Sequence, residues 1–174
     1  MVIVIMGVAG AGKTTVGEQL AAAIGANFYD ADDFHSPSAI AKMQDGHPLT
    51  DADRYPWLER LEKLIQQIGA DQRQAILACS ALKGSYQARL RAAAQGAGIR
   101  VIFIHLEVIP EIALARLRKR RGHFMPASLV ESQFAILEPP EDAITVNAAA
   151  APDLLVEQIQ KALERRLGPV RGAS

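Results

Sequence analysis

The sequence predicts an α/β fold of three layers, in which helices flank a parallel five-stranded sheet. Five short strand-like runs alternate with longer segments of helical periodicity, the order expected when parallel strands are joined by helices. The third run, 75–79, is continuously apolar, which is typical of a strand covered on both faces, and the fourth run, 101–106, is expected to be a further buried strand. A length of 174 residues is enough for one domain, 1–174, with a substantial core.

Each element of this fold is indicated by local signals. The strands are expected at 2–6, 27–30, 75–79, 101–106 and 143–146. A helix follows the loop after the first strand and ends at Gly25, and a brief one begins at Ser36-Pro37, an N-cap followed by proline. We expect the next helix to begin at Pro56, after a polar stretch at 50–55. Further helices are expected after Lys83 and at 110–121, 128–137 and 152–167.

Composition excludes several classes of protein. Nineteen basic and nineteen acidic residues give a formal net charge of zero, which argues against a nucleic-acid or membrane-surface partner. The lone Cys79 forms no disulfide framework, and four scattered histidines suggest no zinc site. These features favour a reducing, cytoplasmic setting. The short apolar N-terminus lacks a basic leader, and we interpret it as a buried strand.

The loop after the first strand carries the spacing Gly-x4-Gly-Lys-Thr, which is the phosphate-binding P-loop motif between a strand and a helix. Glycines let successive backbone N–H groups turn inward around an anion at a helix N-terminus. Lys13 is expected to reach the β- and γ-phosphates, and the Thr14 hydroxyl to ligate Mg²⁺. The predicted ATP-binding residues are Gly7, Val8, Ala9, Gly10, Ala11, Gly12, Lys13, Thr14 and Thr15.

A carboxylate cluster follows the second strand. Asp30 and Asp32 alternate with Ala31 and can point the same way from an extended backbone. The third strand ends in Cys79-Ser80, so the carboxylate that often helps hold Mg²⁺ at a strand end is missing there. We therefore expect Asp30 to support Mg²⁺ and Asp32 to accept the proton of an attacking hydroxyl.

Two further segments indicate a kinase for a small acceptor. A basic segment around Arg116 and Arg120 precedes Gly122 and predicts a lid at about 118–130, with a cis arginine at the transferring phosphate. A helical insert at about 35–70 contains Arg54, whose planar guanidinium suits a carboxylate. For Trp57, in the same insert, a position in the core and a contact with the ligand are given equal weight.

These motifs resemble the small bacterial gluconate kinases. The resemblance rests on five blocks of residues and extends over nearly the whole chain. The blocks are Asp30-Ala31-Asp32-Asp33-Phe34-His35, the Lys42–Leu58 segment with Pro48-Leu49-Thr50-Asp51 and Asp53-Arg54-x-Pro56-Trp57, Cys79-Ser80-Ala81-Leu82-Lys83, Arg120-x-Gly122-His123-Phe124, and Ser132-Gln133-Phe134 with Leu137-Glu138-x-Pro140.

The resemblance implies transfer of phosphate from ATP to D-gluconate, with Mg²⁺, by a homodimer. By resemblance to related kinases, Arg116 would stack on adenine and Arg120 would touch the transferring phosphate. Four residues are candidate cations for the gluconate carboxylate, and the sequence does not choose among them: His35, Lys42, Arg54 and Lys83. Ser80 and Gln133 are candidate hydroxyl partners, and His123 is also assigned to the substrate site.

Two alternatives remain open at this point. Another small-molecule kinase, for shikimate or a different sugar acid, would share this frame. A nucleotide-driven switch without a small acceptor would use the P-loop but not Asp32.

Overall fold

A computed structural model describes residues 1–119 and 127–168 of the chain. The strands are β1 (Val2–Met6), β2 (Asn27–Asp30), β3 (Ala75–Ala78), β4 (Val101–Glu107) and β5 (Ile144–Asn147). The α-helices of the described residues are α1 (Lys13–Ile24), α2 (Pro37–Gln44), α3 (Asp51–Ala70), α4 (Gly84–Gly96), α5 (Pro110–Lys119), α6 (Ala127–Ala135) and α7 (Pro152–Leu167). A short 3-10 turn, Ala31–Phe34, links β2 to α2.

The five strands form one parallel sheet, as predicted, and their order is β2-β3-β1-β4-β5. Strands β2 and β3 lie on one side of β1, and β4 and β5 lie on the other. The direction in which successive strands are added therefore reverses beside β1. Ligands of open α/β sheets bind at such a reversal, outside the carboxyl ends of the strands. The P-loop follows β1 at this point, and Asp30 ends β2 in register with Ala78 of β3.

Helices cover both faces of the sheet, which confirms the three-layer prediction. All of β1 is buried, and its side chains alternate between two cores. Ile3 and Ile5 pack in the core that contains the apolar residues of α1, α5 and α7. Val2, Val4 and Met6 pack in the core formed with α3 and α4.

The start of α3 differs from the prediction. The helix begins at Asp51, five residues before Pro56, which lies inside it. Thr50 is the N-cap: its Oγ1 accepts from Asp53 N at 3.3 Å, and Asp53 Oδ2 accepts from Thr50 N at 2.7 Å. This reciprocal capping box stabilises the first turn, and proline costs only one intrahelical bond so near a helix start.

The predicted insert at 35–70 contains α2, capped by Ser36 as expected, and α3. The predicted lid at 118–130 lies largely outside the described residues, which resume with α6. Across residues 1–119 and 127–168, no helix combines the length and the apolarity needed to cross a bilayer.

Candidate active site

The P-loop has the backbone conformation that its glycines predict. Gly12, the N-cap of α1, is left-handed with φ +99°, and no side chain caps the helix. The N-cap residue therefore supplies no side-chain acceptor to the first turn of α1, an arrangement that suits a bound phosphate. Gly10 has φ +82°, and a Cβ there would lie 2.5 Å from the Ala113 carbonyl oxygen. Glycine is thus required both by conformation and by the close approach of α5.

A cavity of about 250 Å³ borders the P-loop. Its walls come from the loop, from α1, from Arg116 of α5 and from the start of α7: Gly10, Ala11, Gly12, Thr15, Val16, Arg116, Ala150, Pro152 and Leu155. Arg116 is held in place by two backbone carbonyls, with Nη1 3.2 Å from Ala11 O and Nη2 2.6 Å from Ala148 O. The structure therefore places Arg116 in the wall of a cavity beside the phosphate loop.

Lys13 is the first residue of α1, and its Nζ donates to Val8 O at 3.1 Å. The ammonium group is folded back over the loop in this way. A cation held over the loop complements anions bound by the backbone N–H groups.

The predicted magnesium ligands, Thr14 and Asp30, are in direct contact. Thr14 Oγ1 donates to Asp30 Oδ2 at 2.8 Å, and Asp30 Oδ1 accepts from Asp32 N at 3.0 Å. Hydroxyl and carboxylate oxygens are the donor types that suit Mg²⁺. Burial raises the pKa of the nearby Cys79 thiol to about 12, so no thiolate competes. Among the described residues, no group of three or more His, Cys, Asp or Glu side chains is arranged to hold a metal ion.

Asp32 lies in the 3-10 turn, whose backbone accepts hydrogen bonds from two side chains of α3. Trp57 Nε1 donates to Ala31 O at 2.7 Å, and Arg60 Nη1 donates to Phe34 O at 2.8 Å. The Asp32 side chain is 83% exposed. The backbone of this residue is therefore fixed while its carboxylate remains accessible. Trp57 itself is 1% exposed and belongs to the core.

His35 is buried beneath this turn. Its ring stacks on Trp57 with centroids 4.9 Å apart and an interplanar angle of 7°. Burial is the main cause that lowers the pKa of His35, and Arg54 and Arg60 lower it further against the opposing effect of Asp32. A neutral ring at neutral pH does not favour the cation role that was one option for His35.

A second cavity, of about 500 Å³, lies between the start of α3, the start of α4 and α6. Its lining is Pro48, Leu49, Thr50, Asp51, Ala52, Arg54, Lys83, Tyr86, Ser132 and Ile136. Asp51 Oδ1 accepts from Lys83 Nζ at 2.7 Å and from Tyr86 Oη at 2.5 Å. These hydrogen bonds lower the pKa of Asp51, and burial raises that of Tyr86. The pocket thus holds an organised set of polar groups suited to a polyol.

The predicted cations occupy different environments. Lys42 Nζ contacts Asp53 Oδ2 at 2.6 Å and joins α2 to the capping box of α3, outside the second cavity. Arg54 lines that cavity, with its guanidinium 5.8 Å from the centre of the Tyr86 ring and Nε 3.4 Å from Leu49 O. In the described part of the chain, no carboxylate forms an ion pair with Arg54.

The remaining predicted residues are placed as follows. Gln133 Oε1 accepts from Ala9 N at 2.7 Å, so this side chain holds the P-loop. Ser80 follows β3, is half-buried and does not line the second cavity. Arg120 and His123 lie outside the described residues.

Sequence reasoning missed the roles of Tyr86 and Asp51. Tyr86 is not among the predicted site residues, and Asp51 is named in the sequence analysis only as part of a block. Thr50-x-x-Asp53 is a capping-box signal, and it would have placed Asp51 at the start of α3, facing the region where α4 begins.

Comparisons with known proteins show which family this chain is similar to. A family model described as "AAA domain" matches residues 2–140. A "Probable gluconokinase" of Xenopus tropicalis is 40% identical over 187 residues, covering 99% of this chain and 98% of that protein. The "Gluconokinase" of Gluconobacter oxydans is 42% identical and covers 90% of this chain and 88% of its own.

A solved gluconokinase structure from Sinorhizobium meliloti 1021 superposes with a TM-score of 0.84 at 37% identity, covering 94% of this chain and 91% of that one. Identity at this level over nearly the full length shows common descent as well as a common fold. The chain belongs to the gluconokinase family of P-loop kinases.

Proposed function

We propose that this protein transfers the γ-phosphoryl group of ATP to the 6-hydroxyl of D-gluconate, giving 6-phospho-D-gluconate and ADP. The observation that carries the proposal is that α6 contacts both the P-loop and the polar cavity. Gln133 of α6 accepts a hydrogen bond from Ala9 N of the P-loop, and Ser132 beside it lines the polar 500 Å³ cavity. One helix therefore links the phosphate loop to the cavity proposed for the acceptor.

Asp32 is proposed to orient the 6-hydroxyl and to accept its proton. As the bond from O6 to the γ-phosphorus forms, the bond from that phosphorus to the bridging oxygen of ADP breaks, and the proton passes to the carboxylate. A carboxylate is a weak base towards an alcohol. Because the transition state is loose, the proton can leave late, and positioning outweighs basicity.

Arg54 is proposed to bind the gluconate carboxylate. The proposal is supported by how the four candidate cations are used. Lys83 pairs with Asp51, Lys42 pairs with Asp53, and His35 is buried. Arg54 lines the cavity and leaves its terminal N–H groups for a planar, bidentate contact with an anion.

Thr14 and Asp30 are proposed to hold Mg²⁺, which in phosphoryl transfer neutralises charge on the phosphates. Their 2.8 Å contact supports a shared role. Lys13 is proposed to stabilise the transferring phosphate, and Arg120 to act there on closure of a lid. The family resemblance supports a homodimer, and the lone buried Cys79 supports a cytoplasmic setting.

The test is an ADP-release assay with D-gluconate, gluconate epimers, shikimate, the uncharged polyol glucitol, and no acceptor. We expect rapid ADP release with D-gluconate only. Preference for shikimate or another acid would identify a different kinase on this frame. Slow hydrolysis that no acceptor accelerates would support the nucleotide switch instead.

Two variants test the residue roles in the same assay. Asp32→Asn is expected to lower kcat by about 10²–10⁴-fold with little change in the KM for ATP. Asp33→Asn is the matched control, because Asp33 is an exposed carboxylate in the same turn. Arg54→Gln should raise the KM for gluconate about 10–100-fold and leave the KM for ATP nearly unchanged. Wild-type turnover in Asp32→Asn would remove Asp32 from the mechanism.

A further inference from the structure

We propose that His35 is a positioning residue for Asp32: its neutral ring donates a hydrogen bond from Nε2 to the Asp32 carboxylate when that carboxylate turns to receive the acceptor proton. The inference rests on the proposed role of Asp32. It assigns His35 to the base and not to the gluconate carboxylate. His35 would touch neither substrate.

The ring of His35 is packed against Trp57, whereas the carboxylate that it faces is exposed to solvent. The His35 side chain is 6% exposed and stacks almost parallel on Trp57, which is anchored by its own hydrogen bond to Ala31 O. His35 N also donates to Asp32 O at 3.3 Å, closing the 3-10 turn between them. The side chain of Asp32, in contrast, is 83% exposed.

The two ring nitrogens have different surroundings, and this difference selects the tautomer. Within the described residues, Nδ1 is a buried side-chain nitrogen with no hydrogen-bond partner. Nε2 lies 3.9 Å from Asp32 Oδ1. A neutral imidazole carries one N–H, and a proton on Nδ1 would bury a donor without an acceptor. The proton therefore belongs on Nε2, where it faces the carboxylate.

The 3.9 Å separation is about 1 Å longer than an N–H···O hydrogen bond. Rotation of the exposed Asp32 side chain about its two side-chain bonds can close this gap without moving the backbone. A fixed donor then limits the orientations of the carboxylate. Base catalysis depends on that orientation, because the 6-hydroxyl must meet a lone pair of Asp32 within hydrogen-bond reach.

The cost of the unpartnered Nδ1 supports a functional reason for histidine at this position. A buried polar atom without a partner destabilises the folded state, and a phenyl ring would stack on Trp57 without that cost. Packing alone would therefore be served as well by phenylalanine. What only histidine supplies here is an N–H at the edge of the ring that faces Asp32.

The experiment compares His35→Phe, His35→Gln and His35→Asn with the wild-type protein, measuring kcat, both KM values and the thermal midpoint. His35→Phe keeps a ring on Trp57 but removes both nitrogens. We expect kcat to fall about 10–100-fold, the value of one hydrogen bond to a charged group, with both KM values nearly unchanged. The midpoint should stay equal or rise, because the orphaned Nδ1 is gone.

The two amide variants separate the ring nitrogens. Glutamine can place an N–H close to the position of Nε2, whereas the shorter asparagine reaches only the position of Nδ1. His35→Gln should therefore recover part of the lost kcat while melting below wild type, because it lacks the stacked ring. His35→Asn should recover none. A purely structural role predicts the opposite, namely that activity follows the thermal midpoint.

A double variant completes the test. If His35 acts through Asp32, Asp32→Asn with His35→Phe should be no slower than Asp32→Asn alone. Wild-type kcat in His35→Phe, or losses that multiply fully in the double variant, would overturn the inference. If Asp32→Asn is slow and His35→Phe is normal, only the role of His35 fails. If Asp32→Asn is itself normal, the proposed mechanism fails and this inference fails with it.

Discussion

Replacement of Arg116 by methionine tests whether this residue builds the nucleotide site. Methionine retains much of the side-chain volume but loses the donors to Ala11 O at 3.2 Å and Ala148 O at 2.6 Å. A hydrogen bond to a charged group contributes about 1.5–3 kcal/mol. Water can reach the cavity and replace part of this, so we take the lower values and expect a loss of about 3 kcal/mol for the pair.

For a chain of this length, that loss corresponds to a melting temperature lower by about 6–12 °C. Because Ala11 belongs to the P-loop, we also expect the Kd for ATP to rise about tenfold, equivalent to 1.4 kcal/mol. The assays are thermal unfolding and nucleotide titration, with Arg118→Met as the control, an exposed arginine on the same helix. If Arg116→Met melts and binds ATP like Arg118→Met, the two hydrogen bonds do not support the site.

Two further predictions follow from buried contacts. Gln133→Ala leaves Ala9 N without its acceptor and should raise the KM for ATP several-fold. The control is Glu131→Ala, which changes an exposed residue of the same helix and should leave this KM unchanged. Equal KM values for the two variants would show that Gln133 does not support the P-loop. The thiol of Cys79, whose pKa burial raises to about 12, should resist iodoacetamide at pH 8 in the folded protein and react promptly in urea, since alkylation needs the thiolate. Rapid alkylation of the folded protein would show that Cys79 is accessible and ionised.

Local signals were sufficient for most elements of the fold. The strand register and the three layers follow from apolar runs whose alternate residues face two cores, as β1 shows. The start of α3 was predicted wrongly, because Pro56 was weighed as a helix start and the Thr50–Asp53 capping box was not. Both are local signals, and the hydrogen bonds of the cap are the stronger of the two.

In the candidate site, some contacts were predictable from the sequence and others were not. The contact between Thr14 and Asp30 was predictable, because two strand ends at one edge of a parallel sheet bring their following residues together. Whether each candidate cation is paired, buried or exposed was not predictable from the sequence. Lys83 meets Asp51 across 32 residues of sequence, and His35 reaches Trp57 only because α3 packs beneath the turn.

By itself, then, the sequence determined the fold class, the P-loop and the set of residues from which a kinase site is built. These depend on interactions between near neighbours: periodicity, caps, and the backbone freedom of glycines such as Gly12. The tertiary structure alone decided which of those residues are paired and which are available. Among the described residues, Lys42 is paired with Asp53 outside the second cavity, burial lowers the pKa of His35, and Arg54 lines that cavity without an ion-pair partner. Pairing and burial depend on distances between segments far apart in the chain, and only folding sets those distances.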